Sequence, residues 1–206
     1  MFFQRHFPDE PALLGDRRYR FPRTRSWRTW TIDRETLFER WLGVCRNLPV
    51  KFLEIGSFEG ASAIWTLSNI LTHPDSTLTC VDNNHLRSDK QFLANLEASG
   101  HRSRATVHWI DSHDIRRHVP DEHFDFIYVD GSHAAPNVLF DVVNAFLICK
   151  PGGLVGCDDY LFKTPEAGSV PKPAIDSFVR LMGDRIEIVH SAYQLWFRKR
   201  EGTPGA

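Results

Sequence analysis

The chain has 206 residues, of which 42% are hydrophobic and 25% charged, and its net charge is −1. That composition is ordinary for a globular domain able to bury its own core, and a near-neutral balance excludes a global field that would gather nucleic acid or an anionic membrane surface. No apolar run is long enough to span a bilayer, Met1–His6 carries no leader pattern, and the four cysteines have neither CxxC nor zinc-like spacing, so the expectation is a cytoplasmic protein with Cys80, Cys149 and Cys157 as buried reduced thiols.

Residues 1–30 are rich in arginine and aromatics: Arg17, Arg18, Arg20, Arg23, Arg25 and Arg28 interleave with Tyr19, Phe21, Trp27 and Trp30. This reads as an arm packed on the domain, with a substrate lid ahead of a nucleic-acid contact as its functional alternative. Thr31 or Asp33 is expected to cap a helix through Leu37, Phe38, Trp41 and Leu42. Residues 1–48 then form an N-terminal arm and helix that could cover the substrate or join a homodimer. Residues 49–200 form the main domain, and 201–206 a tail.

From Val50 onward strands and helices alternate. Strands are expected at Val50–Ile55, Leu78–Val81, Ala105–Ile110, Phe124–Val129 and Leu154–Cys157, with helices at Ala61–Leu71, Asp89–Ala98 and Asn137–Cys149, the last stopped by Pro151-Gly152-Gly153. Such alternation implies an α/β fold with a parallel, doubly wound sheet. After a helix near Ala174–Leu181, the strands Ile186–His190 and Gln194–Arg198 are joined by only Ser191-Ala192-Tyr193, which forces an antiparallel hairpin.

Glu54-Ile55-Gly56-Ser57-Phe58-Glu59-Gly60-Ala61-Ser62 closes the first strand. Glycine there permits a sharp turn and a close ligand approach, and the helix start offers free N–H groups. A dinucleotide site would need G-x-G-x-x-G, whereas Phe58 and Glu59 stand where small residues belong. An acid before the loop suits a ligand with a cationic end, such as S-adenosylmethionine, better than a pyrophosphate.

Ligands of open parallel sheets bind beyond the carboxyl ends of the strands. Those ends carry Asp82, Asp111, Asp130 and Asp158-Asp159. Asp82 is spaced to accept from ribose hydroxyls, and Asp111, Ser112 and His113 to line an adenine. Asp130, Asp158 and Asp159 would repel one another unless a cation joined them, and oxygen-only ligands favour Mg²⁺. His133, three residues after Asp130, is suited to take a proton near neutrality.

With these residues assembled, the segment from about Phe52 to Lys199 resembles class I S-adenosylmethionine-dependent methyltransferases. It is most similar to the macrocin O-methyltransferase-like group and more distantly to catechol O-methyltransferase. The resemblance is carried by Phe52–Ser62, by Phe126–His133 with its Asp130-Gly131-Ser132-His133, and by Pro151-Gly152-Gly153 running to Asp158-Asp159-Tyr160. It implies a Rossmann-like seven-stranded sheet with a reversed terminal hairpin. It implies that Glu54, Gly56, Ser57, Gly60 and Ser62 hold the amino-acid end of the cofactor, with Asp82 on the ribose, Ser112 and His113 at the adenine, and Asp130, Asp158 and Asp159 on a metal. Catechol-type enzymes carry Asn where Asp159 stands and a lysine base where His133 stands.

The expected activity is metal-assisted methylation of a hydroxyl on a small-molecule acceptor, with Asp130 and His133 as the catalytic pair. Three other readings stand beside it. One is a metal-independent methyltransferase, one a cofactor-binding scaffold presenting its arm to RNA or protein, and one a nicotinamide oxidoreductase.

Overall fold

The computed structural model describes residues 18–23, 29–163 and 170–202. Its elements run α1 (Thr29–Leu42), β1 (Lys51–Ile55), α2 (Ala61–Asn69), β2 (Thr77–Val81), α3 (Asp89–Ala98), β3 (Ala105–His108), β4 (Phe124–Val129), α4 (Ala135–Ile148), β5 (Cys149–Cys157), α5 (Lys172–Met182), β6 (Ile186–Ser191) and β7 (Leu195–Lys199). The seven strands form one sheet in the order β3-β2-β1-β4-β5-β7-β6. Pairing is parallel from β3 to β5, and β7 is antiparallel to both β5 and β6. The Rossmann-like sheet with its reversed terminal hairpin is as expected.

Alternation along each strand sends successive side chains to opposite faces. On one face, Leu53, Ile55, Ile127, Val129 and Val155 meet Val142 and Phe146 of α4 and Ile175 and Phe178 of α5. On the other, Phe52, Cys80, Phe126, Tyr128 and Trp196 meet Phe38 and Leu42 of α1, Leu67 of α2 and Phe92 of α3. Phe38 sits edge-on to Phe126, Tyr128 and Trp196 at ring-centroid distances of 5.6, 4.9 and 5.6 Å. Helix α1 is therefore seated in the core and not laid over it. A smaller cluster of Tyr19, Phe21, Ala61 and Ile64 pins residues 18–23 to α2.

Several element ends differ from the sequence reading by one or two residues, β3 ending at His108 instead of Ile110 among them, and three differences bear on the fold. Helix α1 begins at Thr29, ahead of both Thr31 and Asp33, so neither caps it. Helix α4 begins at Ala135 because Pro136, which needs no N–H bond there, fits its first turn. Strand β5 begins at Cys149 and runs through Pro151-Gly152-Gly153, which the sequence marks as a stop. Cys149 pairs with Phe124 and Leu154 with Phe126, so an irregularity absorbs the proline and glycines inside the strand. The arm readings at residues 1–17 and 24–28, the loop at 164–169 and the tail at 203–206 lie outside the described residues.

All four cysteines are free, and Cys80, Cys149 and Cys157 are buried. Among the described residues no helix is long and apolar enough to cross a membrane.

Candidate active site

β1 and β4 lie side by side, but the chain leaves β1 toward β2 and leaves β4 toward β5. The two connections diverge, which opens a crevice above the carboxyl ends of the strands. The residues just past the strands continue the parallel ladder. Asp82 N donates to His108 O at 3.1 Å, Asp130 N to Ile55 O at 2.9 Å, and Asp158 N to Val129 O at 2.9 Å. These three acids are thereby held on one edge of the sheet by their own backbone.

A cavity of about 680 Å³ occupies that edge. Of the residues singled out from the sequence, Gly56, Asp82, Asp111, Ser112, His113, Asp130, His133 and Asp159 line it, whereas Glu54, Ser57, Gly60, Ser62 and Asp158 do not. Phe58, Asn83, His85, Leu86, Asn137, Phe162 and Tyr193 complete the wall. Phe58 belongs to the glycine loop already singled out from the sequence, whereas Asn83, His85, Leu86, Asn137 and Tyr193 carried no functional reading there.

Asp82 Oδ2 accepts from Phe58 N at 2.9 Å, and its Oδ1 from Asn84 N at 2.7 Å. Phe58 and Asn84 both have left-handed backbones, with φ of 47° and 56°. One carboxylate thus fixes both loops at this end of the cavity and retains lone pairs toward it. Asp111 caps the 3-10 turn Ser112–Arg117 by accepting from His113 N at 2.9 Å. The His113 ring lies 4.1 Å from Phe140, centroid to centroid, at the cavity rim.

Behind the glycine loop, the Ser62 hydroxyl donates to Glu54 Oε1. Both side chains are buried, and the Ser57 hydroxyl lies close enough to the carboxyl to favour its ionised form. Burial raises the Glu54 carboxyl, while the Ser62 hydrogen bond and the charge of Arg34 pull it back. An acid directly behind the glycine loop complements a ligand with an ammonium end.

Beside the glycine loop, ligand atoms of Asp130, Asp158 and Asp159 lie within 4.8 Å of one another. Burial and Asp158 push the Asp130 carboxyl well up, and Arg34 pulls against them. Burial and Asp159 raise Asp158. No hydrogen bond reaches Asp158 Oδ2, although the Tyr128 hydroxyl lies near enough to favour its ionised form. Crowded carboxylates with a free buried oxygen suit a hard divalent cation.

The cluster also has protein partners. Arg34 Nη1 of α1 lies 3.3 Å from Asp130 Oδ2, with both side chains at most 4% exposed. Tyr193 donates to Asp159 Oδ1 at 2.6 Å, and His133 Nε2 lies 2.7 Å from Asp159 Oδ2. The hydrogen bond from Asp159 raises the His133 pKa above its ordinary value, against burial. Phe162 covers the imidazole, with ring centroids 4.5 Å apart. The ring is held on one edge and one face, which leaves Nδ1 as the nitrogen able to take a proton from a ligand.

A sequence profile described as "Methyltransferase domain" matches residues 53–160, more than half of the chain. The chain belongs to this methyltransferase family. The resemblance to class I S-adenosylmethionine-dependent methyltransferases is thereby borne out. No curated protein matches the chain. Among solved structures, this methyltransferase is similar in fold to the O-methyltransferase TomG from Streptomyces achromogenes, involved in tomaymycin synthesis and solved with S-adenosylmethionine. The TM-score is 0.64 and the identity 17%, over 82% of this chain and 80% of that one. It is similar to an O-methyltransferase from Bacillus cereus solved with S-adenosylhomocysteine, with a TM-score of 0.63 and 16% identity over 82% and 81% of the two chains. It is also similar to the MycE methyltransferase of the mycinamycin pathway, solved with Mg and S-adenosylhomocysteine. There the TM-score is 0.59 and the identity 20%, over 83% of this chain and 50% of that one.

Proposed function

We propose that this methyltransferase transfers the methyl group of S-adenosylmethionine to a hydroxyl of a small-molecule acceptor, with His133 accepting the proton and Asp130, Asp158 and Asp159 able to hold a divalent ion such as Mg²⁺. The reading is carried by one observation: Asp82, His133 and two members of the acid cluster, Asp130 and Asp159, share the wall of a single cavity at the carboxyl edge of the sheet, with Asp158 directly behind them. The B. cereus and MycE structures, solved with S-adenosylhomocysteine, and the Mg in MycE support the choice of ligands.

The sulfonium cofactor supplies an electrophilic methyl group when bound, and a divalent ion supplies charge that eases deprotonation of the acceptor hydroxyl. The chain's own residues do the rest. Asp82, with Phe58 and Asn84 tied to it, positions the nucleoside end. Asp159 orients the His133 imidazole, and Tyr193 fixes Asp159. As the O–C bond forms and the C–S bond breaks, the hydroxyl proton passes to His133 Nδ1. Holding the three reacting atoms in line is the main source of rate.

A second reading drops the metal. It is favoured by the Arg34 guanidinium on Asp130 and by the two hydrogen bonds that occupy both oxygens of Asp159.

Calorimetry with S-adenosylhomocysteine, followed by methyl transfer to a panel of hydroxyl acceptors in EDTA and in Mg²⁺, tests both readings. We expect cofactor binding in the wild type. His133→Ala should lower turnover about 100-fold or more while sparing that binding. Absence of cofactor binding would end the proposal, and full turnover in EDTA would leave only the metal-free form of it.

A further inference from the structure

Arg34 takes no part in the chemistry above, yet its side chain is 4% exposed beside Asp130. It lies within electrostatic reach of Tyr128, Asp130, Asp158 and Glu54, on the face of the sheet that α1 covers. A lone buried guanidinium is costly, and so is a group of buried carboxylates; each removes much of the other's penalty. Phe38, one helical turn along α1, seats the helix against Phe126, Tyr128 and Trp196. That packing delivers the guanidinium to Asp130, which lies 96 residues away in the chain.

We propose that Arg34 is a resident counter-cation of the acid cluster: a positioning residue that supplies positive charge and holds Asp130 in place when no divalent ion is bound, so that the seating of α1 completes the site. In consequence the folded protein does not need a metal to balance Asp130. An incoming divalent ion binds a cluster already partly neutralised. Its affinity is held down by Arg34 and rises when that charge is removed. The part concerning metal rests on the reading of the acid cluster given above; the part concerning Asp130 does not.

Thermal unfolding of the full chain tests both parts, using wild type, Arg34→Met, Arg34→Lys, Asp130→Asn and the Arg34→Met/Asp130→Asn double variant, each in EDTA and in millimolar MgCl₂. In EDTA, Arg34→Met should lower the unfolding midpoint by about 10 °C, the shift expected when one partner of a buried ion pair is removed from a chain of this size. Arg34→Lys should lose less than half as much. Adding Asp130→Asn to Arg34→Met should return at least half of the loss, because the carboxylate then carries no charge. MgCl₂ should raise the midpoint of Arg34→Met well beyond any rise in the wild type.

An Arg34→Met midpoint equal to that of the wild type overturns the proposal, as does a loss that neither Asp130→Asn nor MgCl₂ restores. If Arg34→Met is recovered only unfolded, the double variant decides: a folded double variant supports the proposal and an unfolded one overturns it. Rescue by Asp130→Asn with no effect of MgCl₂ on either protein retains the counter-cation and removes the metal from the proposed function. Equal stabilisation of both proteins by MgCl₂, without rescue by Asp130→Asn, retains the metal and removes the counter-cation.

Discussion

A Cβ on Gly56 would lie 2.2 Å from the carbonyl oxygen of Asp130. The loops after β1 and β4 are in backbone contact at the floor of the cavity, and Gly56 has a φ of 88° that other residues rarely adopt. Gly56→Ala should separate the two loops. We expect destabilisation of about 2 kcal/mol or more and loss of S-adenosylhomocysteine binding. Denaturant unfolding and calorimetry on the same preparation check both.

The Tyr193 hydroxyl holds Asp159 Oδ1 at 2.6 Å, while His133 faces Oδ2. Burial and that hydrogen bond push the Tyr193 hydroxyl well up, so it stays a donor. Tyr193→Phe removes the donor and little else. Turnover should fall about tenfold, the worth of one charge-assisted hydrogen bond, with cofactor affinity unchanged. Steady-state kinetics beside calorimetry separate the two quantities.

Asp141 is buried on α4, one of its oxygens lacks a partner, and burial raises its pKa to about 6, with Ser112 and His113 pulling the other way. The folded state therefore keeps this proton to a higher pH than the unfolded chain does. Its favourable contribution is complete below the ordinary carboxyl value and is lost as pH rises through about 6. Asp141→Asn should remove that slope and be the more stable protein at pH 7.5, by on the order of 2–3 kcal/mol. Urea unfolding at pH 4.5 and 7.5 should show a difference between variant and wild type that is clearly larger at the higher pH.

Arg23 joins the loops after β1 and β2 at the Asp82 end of the cavity. Its guanidinium lies 4.6 Å from the Phe58 ring centre, donates to Leu86 O at 2.8 Å and pairs with Glu59 at 3.6 Å. Phe58 and Leu86 both line the cavity. Arg23→Ala should weaken S-adenosylhomocysteine binding about fivefold, or about 1 kcal/mol. An unchanged dissociation constant in calorimetry would show that the loops hold without it.

Much of this site could be read from the sequence because its signals are local. Asp82, Asp130 and Asp158 each follow a short apolar run, and a parallel sheet must bring such ends to one edge. The direction of the terminal hairpin followed from a connection too short for a crossover. Residues whose role depends on docking left no such mark. Arg34 carries no signal in the sequence until Phe38 seats α1 on the aromatic face. Tyr193 looks like a turn residue until the hairpin is paired. The β5 boundary was misplaced for a related reason: the proline and two glycines end a helix by local rules, and only pairing with β4 turns them into an irregularity within a strand.

Strand β7 lies between β5 and β6 although it is the last in the chain. β6 cannot dock on β5 as it is synthesised, because its place in the sheet is defined by a neighbour that does not yet exist. The hairpin must join as a pair, and its turn carries Tyr193 to Asp159. A chain that has closed β1 through β5 would hold its acids in order and still lack the Tyr193 hydroxyl on Asp159. The wall of the cavity is thus completed only when the hairpin has docked.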